Sequence, residues 1–207
     1  MTADMPTLAA APTLMALALY TIVTSVTPGP NNMMVLASGV NFGIRRTLPH
    51  IAGISLGFGA MVAIMGLGLG TVFERWPELN TVLRWIGGAY LLYLAWKIAR
   101  AGAPDAPEGT TARPLGFLGA AAFQWVNPKA WVMALGAIAT YLPPHPSWAA
   151  VTGVAVLMAA INAPCVGIWA GFSTGLRRFL TDPRRLRAFN LIMAALLVAS
   201  LWPVFMT

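Results

Sequence analysis

The sequence contains few charged residues and a single cysteine. Only 9% of its 207 residues are Asp, Glu, Lys or Arg, whereas 58% are apolar, and soluble domains carry about 25% charged residues. The low charge excludes an ordinary soluble globule, and the high apolar content excludes a disordered chain. With Cys165 alone, an internal disulfide, a Cys-x-x-Cys redox pair and a cysteine-based metal centre are excluded. No metal or cofactor is expected, and residues 1–207 are predicted to form one membrane domain.

Long stretches without charge predict how often the chain crosses the membrane. No charged residue lies between Asp4 and Arg45 or between Lys129 and Arg177, and each stretch is longer than the ~20 residues that one spanning helix needs. Breaks within these stretches therefore help to divide them. The sequence predicts an all-α membrane protein with six transmembrane helices, at about 14–42, 48–72, 80–98, 115–141, 148–173 and 188–206.

The chain divides near its midpoint into two halves of three spans each. Repeat one covers about 8–100, a polar loop covers 101–114, and repeat two covers about 115–207. Because three is an odd number, the second half enters the membrane from the opposite side. The two halves are therefore predicted to form two inverted three-helix repeats.

The basic residues are distributed unevenly between the predicted loops. Ten lie in the loops after spans one, three and five, two lie on the opposite side, and Lys129 lies inside a span. Cytoplasmic loops carry the excess of Lys and Arg, which predicts that both termini lie outside. The Arg-rich loop 177–187 is expected to contact anionic lipid headgroups. Because the basic residues form short clusters between apolar runs, nucleic acid is not an expected partner.

Spans one and four each contain a helix-breaking motif near the middle. The motifs are Thr27-Pro28-Gly29-Pro30-Asn31-Asn32 and Asn127-Pro128-Lys129. Proline inside a helix removes a hydrogen bond and clashes with the preceding turn, at a cost of about 3 kcal/mol or more. Non-helical backbone within a membrane is tolerated where it is buried in protein or lines a wet cavity. Paired breaks in two halves therefore predict a transporter binding site, with two ordinary proline kinks as the alternative.

Lys129 is the one charged residue predicted near the middle of a span, because the other basic residues lie at the predicted membrane edges. A lysine at the centre of a span costs at least about 2.5–3.5 kcal/mol, and all six acidic residues fall in predicted loops or tails. Its expected neighbours are open helix-end carbonyls and the amides of Asn31, Asn32, Gln124 and Asn127. A substrate carboxylate would supply the missing anion. The alternative is a structural lysine that caps the carbonyls released in span one.

Several stretches of the sequence resemble the LysE-type amino-acid exporter family, which includes homoserine/threonine, leucine and cysteine/O-acetylserine exporters. They are residues 27–32, 39–46, 53–58, 89–97 and 127–130. Residues 123–127, with the Asn pair that follows Pro30, look most similar to the cysteine/O-acetylserine branch. The resemblance implies efflux of amino acids or small derivatives from the bacterial cytoplasm across the inner membrane, driven by the proton-motive force.

The substrate site is expected where the two broken segments meet. Its predicted residues are Pro28, Gly29, Pro30, Asn31, Asn32, Gln124, Asn127, Pro128 and Lys129. Many members of the family have Asp where this chain has Asn31, so the core lacks a carboxylate that would carry a proton. Lys129 or His50 would then have to carry it, unless the substrate does. One repeat rocking against the other would open the site to each side in turn.

Two other function classes remain open. Residues 53–57 match the Gly-x-Ser-x-Gly motif of serine hydrolases, which makes an intramembrane hydrolase using Ser55 the enzyme alternative. That motif requires a strand-turn-helix elbow, and close helix packing through the glycines is favoured, so no enzyme is predicted. A channel or scaffold without substrate exchange is the other class, and a homo-oligomer is left open.

Two polar residues outside the motifs, His50 and Asn162, are also expected to have defined roles. His50, which follows Pro49, is expected as an interfacial residue at the cytoplasmic mouth of span two, with a gate or a proton group as the alternative. Asn162, together with Pro164, predicts a hydrogen bond between helices and a kink in span five.

Overall fold

Helices form every regular element in the described part of the chain, residues 10–69, 75, 76, 78–101 and 114–202 of the computed structural model. They are α1 (Ala10–Val26), α2 (Pro30–Phe42), α3 (Ile44–Ile64), α4 (Glu78–Arg100), α5 (Phe117–Phe123), α6 (Pro128–Tyr141), α7 (Trp148–Phe179) and α8 (Pro183–Ala199). A π-helical turn, Met65–Leu69, follows α3, and a 3-10 turn, Gln124–Val126, follows α5. The all-α prediction is confirmed for these residues.

Part of the predicted loop structure lies outside the described residues. This applies to most of the loop 101–114 and to Asp4, Glu74, Asp105, Glu108 and Arg113. Two acidic residues are described. Asp182 precedes α8 and caps it, whereas Glu78, expected in a loop, is the first residue of α4. An acidic side chain in the first turn of a helix is stabilised by the positive end of the helix dipole.

Both predicted helix breaks are present. Residues 27–29 separate α1 from α2, and Asn127 separates the 3-10 turn from α6. Pro30 and Pro128 are the first residues of their helices, where the missing proline N–H costs nothing. Asn127 accepts a hydrogen bond from the backbone N–H of Lys129 at 3.2 Å and so caps α6. A new helix begins at each of these prolines, so spans one and four are interrupted and do not form continuous helices with simple proline kinks.

The last two predicted spans differ from their helices in bounds, and span six, predicted to reach residue 206, corresponds to a helix that ends at Ala199. Span five was predicted to end at residue 173, but α7 continues to Phe179. Arg177 and Arg178 occupy its last turn, where cations stabilise the negative end of the helix dipole. Span six was predicted from residue 188, but α8 begins at Pro183, because Asp182 and Pro183 start the helix ahead of its apolar part.

Two segments of the described chain are long and apolar enough to cross a membrane alone. They are Ile44–Gly68 and Trp148–Phe179. The segments Thr13–Val26 and Phe117–Val126 are apolar but shorter, because the breaks divide spans one and four into halves. The six-span arrangement and the inverted repeat therefore stay predictions.

Four clusters of buried side chains hold the described helices together, and the buried residues of the fourth come from α2 and α8. The first cluster joins α1, α3, α6 and α7 and includes Leu17, Phe58, Ala134 and Met158. The second cluster joins α2, α4, α5 and α8 and includes Met34, Leu91, Phe123 and Leu197. The third cluster lies between α2, α3, α5 and α7 and includes Val35, Ile54, Ala120 and Val166. The first and second clusters each contain one half of both broken helices.

The glycines of α3 bring it into close contact with α5. A Cβ atom on Gly53 would lie 2.3 Å from the carbonyl oxygen of Phe117, and one on Gly57 would lie 2.5 Å from Cα of Ala121. Real Cβ atoms do not approach backbone atoms this closely, so the helices meet only because these positions lack side chains. Small residues serve this role at helix interfaces in membranes, which confirms the packing interpretation of residues 53–57.

We expect Gly57→Ala to lower the thermal unfolding temperature of the detergent-solubilised protein. The added methyl group must displace the backbone of α5, and overpacking of this kind costs about 1–3 kcal/mol. Gly167→Ala in α7 is the matched control, because nothing lies within 4 Å of a Cβ atom there, and it should leave the unfolding temperature unchanged or slightly raised. Equal losses in both variants would contradict the packing role of Gly57.

Candidate functional site

The C-terminal end of α1 exposes backbone carbonyls that the broken helix cannot satisfy itself. The last four C=O groups of a helix lack partners within it, and an unpaired buried carbonyl costs about as much as a lost hydrogen bond. Thr27 satisfies the first two, because its backbone N–H donates to Val23 O at 3.2 Å and its hydroxyl lies 3.0 Å from Val23 O and 2.9 Å from Thr24 O. The carbonyls that follow accept hydrogen bonds from side chains of α2, α6 and α7.

Asn32 and Trp169 bind the next three carbonyls. Asn32 Nδ2 donates to Ser25 O at 2.9 Å and to Thr27 O at 2.8 Å, and Trp169 Nε1 donates to Val26 O at 3.1 Å. A side-chain amide has two N–H donors, so both donors of Asn32 are engaged with the backbone. In this conformation Asn32 holds the helix end in place.

Lys129 completes this set of donors from α6. Its ammonium donates to Thr27 O, to Thr27 Oγ1 at 3.1 Å and to Pro28 O at 3.4 Å. Among the described residues, these oxygens of the first break are its hydrogen-bond acceptors. Gly29 allows this approach, because a Cβ atom there would lie 2.6 Å from Lys129 Cδ. Lys129 therefore has the carbonyl-capping role that the sequence offered as the alternative to substrate binding.

Asn31 and Gln124 form a reciprocal amide pair across the two breaks. Asn31 Nδ2 donates to Gln124 Oε1 at 2.9 Å, and Gln124 Nε2 donates back to Asn31 Oδ1 at 3.2 Å. Gln124 is fully buried and also donates to Ala120 O at 2.9 Å. The pair fixes the start of α2 against the end of α5, so the two broken segments meet as predicted.

A buried chain of hydrogen bonds links three helices behind the breaks. Ser55 Oγ of α3 donates to Asn162 Oδ1 of α7 at 3.0 Å, and Asn162 Nδ2 donates to Ser25 Oγ of α1 at 3.1 Å. All three residues are buried. Asn162 thus forms the interhelical hydrogen bonds that the sequence predicted for it. Ser25 was not foreseen, because nothing in its sequence context distinguishes it from an ordinary helix serine.

A cavity of about 320 Å³, counted with the open space at its mouth, lies where the two breaks meet. Six of the predicted site residues line it, namely Gly29, Asn31, Asn32, Gln124, Asn127 and Lys129. The cavity wall also contains residues outside that prediction, among them Thr24, Ser25, Phe58, Met133 and Asn162.

Four of the predicted residues lie elsewhere. Pro28, Pro30 and Pro128 are not part of the cavity wall and act through the backbone that they interrupt. His50 was expected as an interfacial residue at the cytoplasmic mouth of span two, with a gate or a proton group as the alternative; in the described structure it is 1% exposed and lines a different cavity. Because α3 begins at Ile44, several residues before the predicted start of span two, His50 lies within this helix.

The family of the chain follows from sequence comparison. A family described as LysE type translocator matches residues 22–200. The chain belongs to the LysE type translocator family. The match covers both breaks and every element that lines the cavity, and it confirms the resemblance that the motifs carry. No solved structure matches the chain.

Relatives of this LysE type translocator carry a more specific name. A protein of Klebsiella pneumoniae is 37% identical over 183 residues, covering 86% of this chain and 90% of the relative. Proteins of Escherichia coli K12 and Salmonella choleraesuis are 36% and 35% identical over 185 residues, with the same coverage. All three are named cysteine/O-acetylserine efflux protein. The sequence motifs had indicated the same branch.

The hydrolase alternative is not favoured for this LysE type translocator. Ser55 lies inside the continuous helix α3, without the strand-turn-helix elbow that exposes a nucleophilic serine. It is 3% exposed, and its hydroxyl donates to Asn162 instead of to a histidine. A catalytic serine donates to its general base, and here the acceptor is an amide oxygen, which takes up no proton.

Trp169 is a residue at the first break that the motifs of this translocator did not indicate. Its indole N–H is the donor for Val26 O, and α7 places it there from more than a hundred residues away in sequence. The sequence does indicate that Trp169 needs a hydrogen-bond acceptor, because a buried tryptophan N–H usually has one. The sequence alone does not identify which carbonyl provides it.

We expect the Asn31 and Gln124 pair to be energetically coupled. Asn31→Leu and Gln124→Met should each destabilise the protein, because each leaves the other amide buried without its partner. The double variant should lose less than the sum of the two, with a coupling energy of about 0.6–1.7 kcal/mol, as for hydrogen bonds measured in membranes. Reversible unfolding of the four proteins in mixed micelles measures this energy, and strict additivity would contradict the pairing.

Proposed function

We propose that this chain is a secondary transporter that exports amino acids or small amino-acid derivatives from the bacterial cytoplasm. The observation that carries the proposal is the position of Lys129, a cation beside a cavity at the junction of two broken helices. Broken helices at corresponding positions of two halves mark binding sites in transporters. The names of the relatives, cysteine/O-acetylserine efflux protein, support the same class of cargo.

In this proposal the chain crosses the bacterial inner membrane six times as two inverted three-helix repeats, with both termini outside. The correspondence would pair α1 with α5, α2 with α6, α3 with α7 and α4 with α8. The packing is consistent with it, because α3 lies against α7 and α4 against α8. The contact of α3 with α5 also has its counterpart in the contact of α7 with α1. The excess of Lys and Arg in the loops after spans one, three and five supports the orientation.

The proposed substrate is a small zwitterion such as cysteine or O-acetylserine. Its carboxylate would bind the ammonium of Lys129, and its polar groups would bind the amides of Asn31 and Gln124 at the cavity wall. Charge-assisted hydrogen bonds of this kind are about twice as strong as neutral ones. The side-chain oxygen of Asn127 is engaged in capping α6, so Asn127 would position Lys129 in the site.

If Lys129 moves away from the helix end, its main acceptor keeps another hydrogen-bond donor. Thr27 O accepts from Asn32 Nδ2 at 2.8 Å in addition to the ammonium, so this carbonyl stays paired when the lysine moves. Thr27 Oγ1 and Pro28 O, at 3.1 and 3.4 Å, lose the ammonium as a donor, and the Thr27 hydroxyl keeps its own hydrogen bonds to carbonyls of α1. A substrate carboxylate would therefore replace backbone oxygens as the partner of Lys129 at a modest cost, and the site would close again after release.

The proton-motive force is the proposed source of energy. Because Asn31 replaces the family's Asp, the carrier of the proton would be Lys129 or His50. Lys129 is the stronger candidate, because a single ammonium would then bind the substrate carboxylate and release a proton in turn. His50 lies in a separate cavity and has no described contact with the breaks.

A carrier and a channel or scaffold predict different exchange behaviour. We expect proteoliposomes loaded with unlabelled O-acetylserine to accumulate external labelled O-acetylserine transiently, because a carrier exchanges one for the other. Lys129→Met should weaken the apparent affinity about ten- to a hundredfold, as expected for loss of a charge-assisted hydrogen bond. Gly167→Ala should retain the wild-type exchange. Absence of counterflow with cysteine, O-acetylserine and other amino acids would contradict the carrier proposal.

Substitution of Lys129 by arginine separates charge from proton transfer. Lys129→Arg keeps the positive charge, but a guanidinium does not release its proton in a protein. We expect the variant to keep substrate counterflow, which needs no net proton movement, and to lose efflux driven by a pH gradient. Unchanged gradient-driven efflux with the wild-type pH dependence would exclude Lys129 as the proton carrier.

A further inference from the structure

A second cavity lies between α2, α3 and α4, away from the junction of the breaks. Its volume is about 550 Å³ counted with the open space at its mouth. The wall includes Ser38, Asn41, His50, Leu94, Lys97 and Leu115. None of the predicted substrate-site residues is among those that line it, so this cavity is distinct from the one beside Lys129.

His50 is the polar group in this wall that lacks partners. The side chain is 1% exposed, and within the described structure both ring nitrogens are buried without a hydrogen bond. A neutral imidazole has one donor and one acceptor nitrogen, and each buried unsatisfied group costs about 1–3 kcal/mol. An occupant that both accepts and donates hydrogen bonds would remove this cost.

The other uncharged polar groups of the wall are already paired. Asn41 and Asn190 exchange amide hydrogen bonds of 2.8 and 3.1 Å, and the hydroxyls of Ser38 and Thr47 lie 2.9 Å apart. These pairs fix the wall and leave His50 as its uncharged side chain without a described hydrogen bond, whereas Lys97 is exposed.

The charge beside this cavity is positive. Lys97 is part of the wall, and its ammonium lies 5.7 Å from the ring centroid of Tyr93. No acidic residue is among those described in the wall. The ligand chemistry that fits is a carboxylate near Lys97 and an amine or hydroxyl near the ring of His50.

We propose that this cavity is a second binding site for a small amino-acid zwitterion, with His50 as its central contact. Both ring nitrogens are enclosed in the described structure, so the imidazole would have to turn toward the cavity, where its N–H would donate to the carboxylate that Lys97 attracts at the mouth. The inference rests on the proposed function for the class of ligand. The position of Lys97 and Arg100 near the end of α4 places the site on the side where the Lys and Arg excess predicts cytoplasm.

Buried side chains separate the second site from the first. Both cavities border α2, with Asn31 at its beginning and Asn41 near its end. Met34, between them, belongs to the second cluster and is buried against Phe123 and other residues of that cluster. A substrate bound at His50 would therefore reach the first cavity only after the helices between the two cavities rearrange.

Protection of introduced thiols from alkylation tests the two sites separately. In a Cys165→Ser background, which removes the one native thiol, Leu94→Cys reports on the second cavity and Met133→Cys on the first. O-acetylserine at ten times its dissociation constant should slow alkylation by N-ethylmaleimide about tenfold at each position. Its methyl ester, which has no carboxylate, should protect neither.

Variants of the second site identify the contact. His50→Phe should abolish protection of Leu94→Cys and leave protection of Met133→Cys intact. Lys97→Met, at an exposed position, should weaken protection of Leu94→Cys alone, which covers the case in which His50→Phe does not fold.

Each result supports or overturns the second site. Protection of Met133→Cys without protection of Leu94→Cys overturns it and leaves the proposed function standing, with a hydrated cavity at His50. Failure of Leu94→Cys to react at all also overturns it. Protection of Leu94→Cys alone supports the second site while counting against the proposed substrate site.

Discussion

The need to satisfy the open carbonyls at the end of α1 determines the geometry around the breaks. Pro28 and Pro30 interrupt the helix, and in an apolar surrounding each released carbonyl requires a donor. Asn32, Lys129 and Trp169 supply those donors from three different helices. Because each donor reaches a particular oxygen, the positions of α2, α6 and α7 relative to α1 are fixed by the same few hydrogen bonds.

The same arrangement accounts for the polarity of the cavity beside the breaks. A helix end that is capped by side chains cannot also be packed entirely with apolar groups, so a pocket with amide and ammonium groups remains next to it. In the proposed function, a substrate carboxylate would compete with the backbone oxygens of the first break for the ammonium of Lys129. These oxygens are what holds the charge in the described structure, where no acidic side chain pairs with it.

The breaks and the meeting of the two segments could be predicted from sequence because they depend on local chemistry. Proline interrupts a helix because it lacks an N–H donor. Asn127 before Pro128 is a typical helix start, since Asn caps helices and Pro is favoured at the first helical position. Contacts that depend on tertiary packing were beyond reach. The acceptor of Trp169, the pairing of Asn31 with Gln124 and the burial of His50 each depend on where a distant helix lies. Charge counting located Lys129, and the broken helix end indicated carbonyls as its neighbours, but which oxygens accept from it depends on where α6 packs.

The distribution of the buried clusters has a mechanical consequence. The first cluster unites α1, α3, α6 and α7 and the second unites α2, α4, α5 and α8, so each combines elements from both halves of the sequence. Any motion that keeps both clusters intact must bend at residues 27–29 and at Asn127 and slide along the third cluster. The close helix contacts at Gly53 and Gly57 border that surface, where small side chains offer little resistance to shear. The rigid bodies of such a motion would differ from the two repeats in the sequence, and the breaks would be its hinges.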